Sequence, residues 1–113
     1  MAKYGIGADD LRAVNPRLIY ASSTGYGSVG PHRAYLGMDI TLQAMTGVME
    51  RKADPAHPLA IYATALCDYS AGMHLVQGIL VALIGRERTG RGQAIEVSLY
   101  DSMLAMQMQE AAM

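Results

Sequence analysis

Between Asp68 and Arg88 the apolar residues Leu75, Val76, Ile79, Leu80, Leu83 and Ile84 recur at the spacing of one helical face. No other stretch constrains the fold as strongly, and the spacing predicts a long helix. A turn follows at Thr89–Gly92, then the alternating run "QAIEVSL", Gln93 to Leu99, which reads as a strand, and then a last helix starting at Ser98 or Asp101.

The rest of the chain repeats this alternation. "ADDLRAV", Ala8 to Val14, reads as a short helix with Asp9 and Asp10 at its positive end and Asn15-Pro16 as its stop. Arg17 to Ser23 is a strand candidate, Gly25 to Gly37 a glycine-rich loop, and Asp39 to Met49 a second helix. Arg51 to Pro58, "RKADPAHP", reads as a polar surface loop, and Leu59 to Leu66 as an extended segment. Strands alternating with helices imply an α/β arrangement with a parallel sheet. Two or three strands make a poor parallel sheet, because such sheets are buried on both faces. The expected molecule is therefore an internal piece of a larger α/β domain, residues 1–113, truncated at both ends. The composition agrees: 51% of residues are hydrophobic and nine are Met, yet Trp and Phe are absent.

Nine Lys+Arg stand against ten Asp+Glu, so charge gives no reason to expect nucleic acid or an anionic membrane as partner. The apolar run Leu75–Ile84 is too short to span a bilayer. The single cysteine, Cys67, excludes a disulfide framework and fits a reducing cytoplasm. No His, Cys or acid pair has metal-ligand spacing, so no metal is expected.

"TGYGSVGP", Thr24 to Pro31, matches the G-x-G-x-x-G pattern of dinucleotide sites. That pattern needs a helix opening at the glycines, and Pro31 would break it. A glycine-rich loop after a strand, turning sharply or meeting a ligand closely, fits better. Two acids stand at expected helix starts, Asp39 in "LGMDITL" and Asp68 in "ATALCDYSAGMH". Each suits a helix N-cap. Asp68, beside the small residues Ala71 and Gly72, also suits a carboxylate nucleophile. Cys67 reads as a small buried residue.

The blocks "NPRLIYASSTGYGSVGP", "GMDITLQAMTGVM" and "ALCDYSAGMHLVQGILVALIGRERTGRGQAIEVSLYDSML" resemble consecutive segments of the class III CoA-transferases, the CaiB/BaiF family. The resemblance covers about residues 1–106 and implies the middle of a Rossmann-like large domain whose parent forms an interlocked homodimer. It implies an enzyme that moves CoA between an acyl-CoA thioester and a carboxylic acid, with coenzyme A as substrate and no permanently bound cofactor. Asp68 matches the family's catalytic aspartate, which forms an aspartyl anhydride and then an aspartyl-CoA thioester. Leu36, Gly37, Met38 and Asp39 match a segment that helps bind CoA. The α-methylacyl-CoA racemases, relatives in the same superfamily, carry a proton-transferring His where this chain has Met38. Methionine transfers no proton, which weighs against racemase chemistry. Transferases commonly carry Tyr there, so the acyl pocket departs from the usual pattern. A non-catalytic domain that binds CoA thioesters is the remaining alternative.

Overall fold

The computed structural model describes residues 1–51, Ala56 and 60–112. Most of the expected loop Arg51–Pro58 lies outside the described residues, as do His57, Leu59 at the head of the expected extended run, and Met113. The chain forms two compact units, Met1–Ser22 with Leu75–Glu96, and Ser23–His74 with Val97–Met113.

In the first unit, α1 (Ala8–Val14) begins where the Gly7 amide donates to Asp10 Oδ2 at 3.0 Å and ends at Asn15. Strand β1 (Tyr20–Thr24) pairs with β2 (Ala94–Ser98) in a two-stranded sheet. The Tyr20 amide donates to the Gln93 carbonyl at 3.0 Å, and Ser22 Oγ donates to the Ile95 carbonyl at 3.3 Å. Both partners advance by two residues together, which is parallel register. The strand therefore starts three residues later than the expected Arg17, because Leu18 is held back in a turn, its amide donating to Asn15 O at 2.9 Å. The long helix α4 (Leu66–Thr89) brings its second half to this unit. Ile95 Cγ2 lies 3.0 Å from where a Cβ on Gly78 would sit, so the missing side chain lets helix and strand pack closely. Gly90, at φ +71°, turns the chain out of α4, its amide donating to Arg86 O at 2.8 Å.

The second unit holds α2 (Asp39–Met45), α3 (Val48–Arg51), the first turns of α4, α5 (Leu99–Met106) and α6 (Met108–Ala111). Leu42, Val48, Cys67 and Met103 form its core, with Tyr26, Tyr62, Leu66, Leu99 and Tyr100 packed around them. The single helix expected over Asp39–Met49 is two, because Gly47 takes φ +77° between them. Ser98 caps α5, its Oγ accepting from the Asp101 amide at 3.0 Å and donating to Asp101 Oδ2 at 2.6 Å.

The expected extended segment before α4 forms no strand among the described residues 60–65. Its backbone is held by a side chain instead of a neighbouring strand. The Tyr62 amide donates to Gln43 Oε1 at 3.0 Å, and Gln43 Nε2 donates to the Thr64 carbonyl at 3.2 Å.

Helix α4 is longer than its apolar run. It has 24 residues and a mean hydropathy of 1.3 over 18 of them, so by length and composition alone it is able to cross a membrane. Only 22% of that window is buried, leaving Tyr69, Met73, Val76, Leu80, Val81 and Ile84 exposed.

Candidate active site

The site grows from the start of α4. Asp68 is the third residue of that helix, near the N-cap and not at it, where the sequence allowed either. The helix opens two residues earlier, at Leu66, after Ala65, which has no side-chain acceptor to offer. The first amides of a helix need acceptors from outside it. They find one in Asp39, 28 residues back. Asp39 Oδ1 accepts from the Cys67 amide at 2.7 Å and from the Asp68 amide at 3.3 Å. These are the amides that an N-cap side chain normally serves. Asp39 thus caps α4 across the fold. It makes no side-chain cap for α2, the helix it begins; Met38 is the residue at that N-cap position, and no side-chain hydrogen bond caps α2.

Gln43, one helical turn after Asp39, completes the arrangement. Its Nε2 donates to Asp39 Oδ2 at 2.6 Å, and the side chain is buried at 1% exposure. Asp39 and Gln43 together span α2, the segment 62–64 and the first turn of α4 through five hydrogen bonds. The sequence carried a signal for this in hindsight: a glutamine four residues after an aspartate, on the face of α2 that also presents the core residue Leu42.

Asp68 itself is exposed, and among the described residues its carboxylate accepts no hydrogen bond. Helical spacing places Gly72 on the same side, one turn on. Nothing lies within 4 Å of where a Gly72 Cβ would sit, so the surface beside Asp68 is open. An apolar cavity of about 170 Å³, lined by Leu66, Tyr69, Ser70, Met73, Met103 and Met106, lies on the other side of the same turns. It does not adjoin the Asp68 side chain.

Cys67 is fully buried. Its thiol is pushed up from 9.0 to about 12, first by desolvation, then by the charge and hydrogen bond of Asp39 and the charge of Asp68. At neutral pH it is a neutral thiol and no nucleophile. His74 Nδ1 lies 2.8 Å from the Ser70 carbonyl, and its ring is committed within α4.

The glycine-rich loop ends at the expected CoA-binding segment. Leu36, Gly37 and Met38 are exposed, and Asp39 is half-buried at the α4 cap. The loop is closed by two of its own glycines. A Cβ on Gly25 would collide with the backbone of Gly37, and one on Gly37 with the backbone of Gly25. The glycine at 25 is therefore present because two backbone segments touch, and Gly27 and Gly30, at φ +82° and +90°, carry the turns between. Tyr26 fills the loop's interior, with ring centroids 5.6 Å from His32, 6.2 Å from Tyr35 and 6.1 Å from Tyr100. Met45 Sδ accepts from its hydroxyl at 3.1 Å. Of the five expected site residues, the structure brings Asp39 and Asp68 into direct contact, and Leu36, Gly37 and Met38 lead into that contact along the chain. Among the described residues, no group of three His, Cys, Asp or Glu side chains is placed to hold a metal.

The family description CoA-transferase family III matches residues 1–113. The acetyl-CoA:oxalate CoA-transferase of Acetobacter aceti is 42% identical over 93% of this chain and 27% of its own length. The succinate–glutarate CoA-transferase of Agrobacterium fabrum is 38% identical over 94% of this chain and 26% of its own. The crystal structure of a CaiB/BaiF family protein from Brucella suis superposes with a TM-score of 0.93 at 38% identity, over 98% of this chain and 29% of that one. The chain thus spans between a quarter and a third of the length of these relatives, and matches them along nearly all of its own: it belongs to CoA-transferase family III.

Proposed function

We propose that this chain carries the nucleophile of a CoA-transferase, and that the nucleophile is Asp68. The observation that carries the reading is the placement of its carboxylate: exposed, unpaired among the described residues, on the first turn of a helix whose amides are capped by another residue. A carboxylate there is favoured as an anion by the helix dipole and free to attack. Family membership and relatives named for oxalate, succinate and glutarate support small carboxylic acids as the donor and acceptor class.

In this reading Asp68 attacks the thioester carbon of the acyl-CoA, the C–S bond breaks and CoA leaves as the thiolate, giving a mixed anhydride. The thiolate then attacks the aspartyl carbon and releases the donor acid, leaving an aspartyl-CoA thioester. The acceptor carboxylate displaces CoA again, and the returning thiolate takes the acceptor acyl group and frees Asp68. Leu36, Gly37 and Met38 line the approach of CoA, and the empty surface at Gly72 leaves room for the acyl group. Met38 holds no transferable proton, so α-proton exchange is not part of the cycle. A cytoplasmic homodimer, with the exposed face of α4 packed against the remainder of a larger domain and not against lipid, completes the proposal.

The test is Asp68→Ala in the full-length polypeptide. Transfer should fall by at least about a thousandfold, the scale seen when a covalent nucleophile is removed, and hydroxylamine should no longer trap an acyl-aspartate. Unchanged transfer would rule the reading out. Deuterium appearing at the substrate α-carbon in heavy water would point instead to a racemase.

A further inference from the structure

The Asp39 carboxylate lies in the segment that family resemblance assigns to CoA binding, yet both of its oxygens are already engaged. One accepts from the Cys67 and Asp68 amides, at 2.7 and 3.3 Å. The other accepts from Gln43 Nε2 at 2.6 Å. Gln43 is buried and reaches on to Tyr62 N at 3.0 Å and Thr64 O at 3.2 Å. Its amide orientation is set by these partners, since Oε1 must face an N–H and Nε2 must face two acceptors. The result is a directed relay from α2 to the peptide bond that carries Asp68. Nothing comparable holds the Asp68 side chain, which accepts no hydrogen bond among the described residues. The position of the attacking oxygen is therefore governed by the backbone it hangs from.

We infer that Asp39, held by Gln43, is a positioning residue for Asp68: it fixes the first turn of α4 so that the Asp68 carboxylate meets the thioester carbon, and it does not itself bind CoA. The inference rests on Asp68 being the nucleophile. A displacement of about 1 Å at a reacting atom costs on the order of a hundredfold in rate, so loss of the relay should appear in kcat and not in KM.

The experiment compares Asp39→Asn, Asp39→Asn/Gln43→Glu and Asp68→Ala in the full-length enzyme. Asp39→Asn keeps an oxygen for the two amides but turns an NH₂ toward Gln43 Nε2, so donor meets donor. The expected result is a kcat lowered about ten- to hundredfold, with KM for acyl-CoA within about threefold of wild type. Single-turnover formation of the hydroxylamine-trapped acyl-aspartate should slow by the same factor. The double variant gives that NH₂ a carboxylate oxygen to donate to but sets the same oxygen against the Thr64 carbonyl, so it should recover only part of the lost kcat. Asp39→Asn with wild-type kcat overturns the inference, and so does a raised KM at unchanged kcat, which would return Asp39 to CoA binding. The unaltered enzyme supplies a check that needs no substitution: the Cys67 and Asp68 amides should exchange slowly with deuterium, and fast exchange of both counts against the relay. If Asp68→Ala remains active, the nucleophile reading fails first; if it is dead while Asp39→Asn is fully active, only this inference fails.

Discussion

Cys67 and Asp68 are neighbours with opposite chemistry, and the difference lies in which way each side chain leaves the first turn of α4. Cys67 points into the core beside Leu42, Val48 and Met103, and Asp68 points out. Burial and the adjacent Asp39 push the Cys67 thiol up from 9.0 to about 12. Below pH 9 the thiol is protonated folded or unfolded, so its contribution to stability is fully present. Between pH 9 and about 12 the unfolded thiol ionises while the folded one does not, and that contribution is lost. The urea midpoint should therefore fall more steeply between pH 8 and 10.5 in the wild type than in Cys67→Ala. Iodoacetamide should label Cys67 only once the protein is unfolded. Fast labelling of the native protein at pH 8 would contradict the buried, neutral thiol.

At the scale of elements, the loop between β1 and α2 has its shape from a contact between two glycines. Gly25 and Gly37 approach so closely that a methyl group on either would meet the other's backbone, which cannot yield as a flexible side chain could. Overpacking of this kind costs about 1–3 kcal/mol. Gly37→Ala should lower stability by that amount and raise KM for acyl-CoA severalfold, because Leu36 and Met38 are displaced with it. Thermal unfolding and initial-rate kinetics measure the two effects, and an unaltered Tm would show that the loop opens freely. The glycine pattern, the strand before it and the break at Pro31 were all legible in the sequence, and so was the conclusion that no helix follows the third glycine. The Gly25–Gly37 contact was not, because eleven residues of irregular chain separate its partners. The extended segment before α4 was misread for a related reason. An apolar run looks like a strand whether its backbone pairs with a neighbouring strand or, as at Tyr62 and Thr64, with a buried glutamine side chain.

For the whole molecule, the two parallel strands and the one long helix found among the described residues leave much apolar surface open. Six large apolar residues of α4 are exposed, and Leu18, Ile19, Ile79 and Leu83 line an open groove of about 490 Å³ in the first unit. Exposed surface of this kind marks a contact region or an aggregation liability. The 113 residues on their own should bind the dye ANS strongly and self-associate, as sedimentation would record. A monomer that ignores ANS and unfolds cooperatively would contradict this. The α/β class, the parallel sense of the strands, the long helix and the two acids near helix starts followed from the sequence alone, because local periodicity and chain punctuation encode them within a few residues. What only the tertiary structure decided is which acid serves which helix. Asp39 caps α4 and not α2, and Asp68 sits exposed in the first turn and does not cap it. A hydrogen bond between residues 28 apart leaves no periodic trace; it exists only once α2 and α4 have packed on a shared core.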